Sequence, residues 1–69
     1  MNKERLSLKC MAKGFHITDL PAKIGISVST FYRKCKTESF TIKEVKSIKD
    51  TLSLTDKDLK AIFFDRYVS

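Results

Sequence analysis

Between Leu20 and Thr37 the chain carries four basic side chains, Lys23, Arg33, Lys34 and Lys36, and no acidic one. Hydroxyls are interleaved with them at Ser27, Ser29, Thr30, Tyr32 and Thr37, while acids gather later, at Glu38, Glu44, Asp50, Asp56, Asp58 and Asp65. The chemistry open to such a segment is the binding of phosphates, because each phosphate neutralised by a cation releases condensed counterions. The net charge of +6 points the same way, although a positive charge also serves solubility alone.

Other chemistries find little material. His16 is the sole histidine, and no glycine-rich phosphate loop or carboxylate pair suited to acid–base work is present, so the chain does not read as an enzyme. Cys10 and Cys35 form no CxxC pair, which argues against zinc, and they read as small buried hydrophobes in a reducing compartment. Neither a cofactor, a metal nor a small-molecule substrate is expected.

The elements that must position these groups are few. With 69 residues, of which 42% are hydrophobic, the chain is read as a single domain, 1–69, with one core. Gly 2 and Pro 1 leave little for a turn-rich β fold. No stretch approaches the roughly 18 apolar residues of a membrane span, and the N-terminus lacks the apolar run of a leader. A cytoplasmic protein is therefore expected.

Five helices are predicted. The first runs from about Lys3 to Lys13 with Leu6, Cys10 and Met11 inward, and Gly14 ends it in a left-handed cap. The second spans about Asp19 to Ile24 with Thr18 as its cap. A late start is expected because Pro21 in a helix interior costs about 3 kcal/mol. Gly25 closes the second helix, Ile26 plugs the corner, and Ser27 caps a third helix over about Val28 to Lys36, with Phe31 and Cys35 as its buried edge. Thr41 and Glu44 make a capping box for a fourth, whose apolar stripe is Ile42, Val45, Ile48 and Leu52, with Phe40 stapled against Val45. Thr55 and Asp58 repeat the device for a fifth, with Leu54 stapled to Leu59 and Ile62 and Phe63 extending the face.

The order Leu20, Ile24-Gly25-Ile26-Ser27, Ser29-Thr30-Phe31 and Phe40-Thr41 through Ile62-Phe63-Phe64 resembles the lambda-repressor-like helix-turn-helix family, including small Cro-like phage regulators of Gram-positive hosts. The resemblance spans nearly the whole chain. It implies a compact all-α five-helix domain with the helix-turn-helix at about 18–36, and sequence-specific binding of duplex DNA as a small transcriptional repressor. It also implies that the start of the third helix enters the major groove, with Val28, Ser29, Tyr32 and Arg33 at base edges. Lys23, Ser27, Thr30, Lys34, Lys36 and Thr37 become the phosphate contacts. The chain departs from the family at Pro21, where a small residue is usual, and at Ile17, where a polar one is usual.

Family operators are usually near-palindromic, which implies a homodimer on DNA. The apolar end of the chain supplies a candidate interface in Phe64, Tyr67 and Val68, since Phe63 and Phe64 cannot both face one core spot. The alternative is a protein-interaction module that keeps the same fold and binds a host or phage protein.

Overall fold

The structure, a computed structural model, describes residues 1–64; Tyr67 and Val68 of the expected interface lie outside them. Among the described residues are five α-helices, α1 Lys3–Ala12, α2 Leu20–Lys23, α3 Val28–Thr37, α4 Ile42–Leu52 and α5 Asp56–Phe63, and one 3-10 turn over Ile17–Asp19. Among the described residues there is no strand. The all-α expectation therefore holds. No helix among them is long and apolar enough to cross a membrane.

Every helix begins or ends on local chemistry. Ser27, Thr41 and Thr55 stand in extended backbone before α3, α4 and α5, and each side-chain oxygen accepts the amide three residues on. Glu44 and Asp58 return the bond to the Thr41 and Thr55 amides at 2.8 and 3.1 Å, completing both capping boxes. Asn2 does the same work for α1, accepting from the Arg5 amide at 3.0 Å.

The first four helix ends share one device. After α1 the Phe15 amide donates to the Cys10 carbonyl at 3.2 Å and the Gly14 amide to Met11 at 3.0 Å, a Schellman pair around a left-handed Gly14. Ile26 and Gly25 repeat it on Pro21 and Ala22 after α2. Behind α3 and α4 the left-handed positions fall on Glu38 (φ 55°) and Ser53 (φ 52°). There Ser39 donates to Lys34 at 3.1 Å and Leu54 to Lys49 at 2.9 Å.

The core takes side chains from all five helices: Leu6 and Cys10, Leu20, Phe31, Ile48 and Leu52, and Ile62, with Leu54 from the α4–α5 loop. The chain start is tied to its far end, because the Asn2 amide donates to the Ile62 carbonyl at 2.6 Å. Lys9 of α1 pairs with Asp58 of α5 at 3.1 Å, and Lys49 of α4 with Asp56 at 3.0 Å.

Three expectations need correction. Helical structure starts earlier than Asp19, at Ile17, but as a 3-10 turn. The Leu20 amide takes the Ile17 carbonyl, so the N–H that Pro21 lacks is never needed there. The cap is also not Thr18: the His16 amide donates to Asp19 Oδ2 at 3.3 Å. Met11 and Ile42, both assigned to inward stripes, are 57% and 90% exposed. Helices of eight to eleven residues around so small a core bury a narrower face than periodicity alone suggests.

Ser53→Gly is expected to stabilise the fold. A left-handed residue with a Cβ costs about 1–2 kcal/mol, against about 0.4–1 kcal/mol of extra unfolded-chain entropy for glycine. A gain of about 0.5–1 kcal/mol in urea unfolding should follow, and a loss would show that the Ser53 hydroxyl bond to Lys13 matters more.

Candidate nucleic-acid interface

The third helix is held by one edge. Phe31 is fully buried, and its ring meets Tyr32 and Phe40 edge-on with centroids 5.4 and 5.7 Å apart. Cys35, one turn on, is half-buried, and burial raises its thiol above the ordinary range, against the opposing pull of Lys3 and the N-terminus. Both cysteines are free thiols. At about 100° per residue, Ser29, Arg33 and Lys36 fall on the side of α3 opposite Phe31, with Val28 and Tyr32 flanking them.

Ser29, Arg33 and Lys36 are exposed, as is Val28 at 47%. Among the described residues no carboxylate pairs with Arg33, Lys36 or Lys23. Lys23 stands over the Phe15 ring, with Nζ 4.7 Å from the centroid, at the start of the α2–α3 turn. Along α3 itself, Val28–Thr37, there is no acidic side chain.

The remaining expected contacts are placed differently. Lys34 leaves the positive face: its Nζ lies 2.7 and 2.5 Å from the two carboxylate oxygens of Glu44, in a half-buried pair that ties α3 to the start of α4. Ser27 is engaged as the α3 cap, with Oγ accepting the Thr30 amide at 3.1 Å and donating to Thr30 Oγ1 at 2.7 Å. Thr37 Oγ1 turns back to the Arg33 carbonyl at 2.9 Å. Tyr32 is half-buried against Phe31, with only part of its ring on the outer face.

One cation escaped the sequence reading. Lys3, at the start of α1, reaches over Tyr32 with Nζ 5.1 Å from the ring centroid and so joins the α3 surface. A contact between residues twenty-nine positions apart leaves no trace in local spacing.

Phe64 is 48% exposed and lines an open, mainly apolar groove with Phe40, Ile42, Val45 and Leu59, to which Lys46, Lys49 and Asp50 also contribute. Among the described residues no group of three or more His, Cys, Asp or Glu side chains comes together to hold a metal ion. In comparisons with protein-family models, characterised proteins and solved structures, nothing matches this chain.

Glu44 carries a pH signature. The Lys34 ammonium, followed by the Thr41 amide, holds its carboxyl below the ordinary 4.5. A depressed carboxylate stabilises the fold above its unfolded value, and the effect disappears as pH falls through the folded value. Glu44→Gln keeps a side chain able to close the capping box but removes the charge. Its stability deficit in urea titrations should be largest at pH 7 and shrink below pH 4.5. A deficit that stays constant to pH 3 would assign the effect to capping alone.

Proposed function

We propose that the chain binds duplex DNA sequence-specifically as a small transcriptional repressor, with α2 and α3 as a helix-turn-helix and α3 in the major groove. The observation that carries this reading is the exposed, acid-free outer face of α3, on a helix whose opposite edge is locked in the core by Phe31. A groove about 12 Å wide admits one helix with its side chains.

In this reading Arg33 makes the fork to guanine O6 and N7, Ser29 bonds a neighbouring base edge, and Val28 meets a thymine methyl group. Lys23 and Lys36 bind backbone phosphates and set the register. Ser27, Thr30 and Thr37 act mainly by shaping the ends of α3, and Tyr32 borders the face.

Two copies complete the site. Half-sites one helical turn apart are separated by about 34 Å, and the chain itself measures 32 × 25 × 20 Å, so one copy covers one half-site. The apolar groove bordered by Phe64 is the surface we assign to the partner copy. Sedimentation of Phe64→Asp on and off DNA should show a loss of dimer, and an unchanged oligomeric state would remove that surface from the reading.

A protein-interaction role on the same fold is the second reading. It is favoured by Val28, an apolar side chain left 47% exposed where α3 begins. Salt separates the two, since phosphate binding weakens steeply as ionic strength rises.

Selection of bound duplexes from a random pool, followed by binding isotherms at several salt concentrations, tests the proposal. Arg33→Ala should lower affinity for the selected site by roughly 5–150-fold and leave random DNA nearly unaffected. Lys36→Ala should weaken all sequences and reduce the salt slope by about one. Equal losses for Arg33→Ala on selected and random DNA would defeat base reading.

A further inference from the structure

Along the α1 side of α3 lies a hollow of about 410 Å³ lined by Met1, Lys3, Tyr32, Cys35 and Lys36. Two helices far apart in sequence meet there, and each contributes a lysine. Among the described residues no carboxylate lines the hollow. Glu38, past the end of α3, pairs with the N-terminal ammonium beside it. Lys3 and the N-terminus both pull the Cys35 thiol down against the larger effect of burial, and the N-terminal charge is shared with Glu38, so Lys3 and Lys36 are the two lysines that face the hollow. Tyr32 supplies an aromatic wall over which the Lys3 ammonium is already positioned.

We propose that α1 and α3 together build an anion seat in this hollow, and that it takes a backbone phosphate of the duplex beside the bases that α3 reads. Lys3 and Lys36 are its two cations, and Tyr32 holds Lys3 toward α3. The identity of the polymer rests on the DNA-binding reading, whereas the seat itself stands on two lysines from two helices that line one hollow, with Lys3 placed over the Tyr32 ring.

The position suits the task. On α3, Tyr32 and Lys36 follow Val28 at four-residue steps and so form one row along the helix. A helix whose first turn meets base edges brings the later members of such a row up to the groove wall, where the phosphates are. Lys3 adds a cation to that wall from a second element. A backbone contact made by two helices fixes the angle at which α3 enters, which a single lysine on a free stem does not.

Three measurements test the seat. Lys3→Ala should weaken binding to selected and random duplexes by the same factor and lower the salt slope by about one, with Lys3→Arg restoring both. Bound duplex should slow alkylation of Cys35 by iodoacetamide. Inorganic phosphate, added without DNA, should shift the signals of Lys3, Tyr32, Cys35 and Lys36 saturably in the parent and not in the Lys3→Ala/Lys36→Ala double variant. If Arg33→Ala loses selectivity while Lys3→Ala leaves the slope unchanged and Cys35 stays unprotected, the seat is wrong and the DNA reading survives. If duplex DNA fails to bind but phosphate saturates these four signals, the seat survives and the DNA reading falls. Phosphate shifts that persist in the double variant would overturn the seat in either case.

Discussion

The whole arrangement depends on the burial of one phenylalanine. Phe31 is the single fully buried side chain of α3, and its ring touches Phe40 edge-on, which in turn touches Phe63 at 5.8 Å. This aromatic row runs from α3 through the loop before α4 to the end of α5. Edge-to-face pairs of this kind contribute about 0.5–1.5 kcal/mol each beyond the area they bury. In a domain this small, such contacts decide whether α3 is a rigid projection or a fraying segment. A helix that reads a surface through side chains on one face needs the other face fixed, and Phe31 supplies that fixing.

Charge is distributed so that the same helix keeps a positive outer surface. Glu44 and Asp58 both sit at the third position of a helix, where a carboxylate meets free amides and the positive end of the dipole. Each also reaches a lysine on another helix, Lys34 and Lys9 respectively. The Asp58 carboxyl is lowered first by the Thr55 amide and then by Lys9. Asp56 is lowered by Lys49. Three acids are therefore held at helix starts and interhelical seams, which keeps them off the outer face of α3. Capping chemistry and surface potential are here one design problem.

Much of this was legible from residue types alone. Ser27, Thr41 and Thr55 announced the helix starts, Gly14 and Gly25 the left-handed ends, and Leu6, Cys10, Phe31, Ile48 and Leu52 the buried face. Those signals are local: a cap needs partners three residues away, and a stripe needs a period. Interhelical facts left no such signal. The pairing of Lys34 with Glu44 and the reach of Lys3 over Tyr32 depend on how helices are placed. The left-handed Glu38 and Ser53 were equally silent, because no glycine marks them. The 3-10 start before α2 shows a different limit. Pro21 conflicts with a regular α-helix begun at Ile17, but the Leu20 amide satisfies the Ile17 carbonyl one residue early and removes the conflict.

The outer face of α3 is also nearly independent of the fold. Arg33, Lys36 and Val28 contribute nothing to the buried cluster, and among the described residues their side chains enter no ion pair. Their neighbours at positions 27, 30 and 37 carry the helix ends, and Phe31 and Cys35 carry the packing. Surface and scaffold thus occupy alternate positions of one ten-residue helix. Exposed positions away from caps and packing usually change stability by less than about 0.5 kcal/mol when substituted. A binding surface built this way can change its target without unfolding its support, whereas Tyr32 and Lys34 cannot change freely, because each links α3 to a second helix.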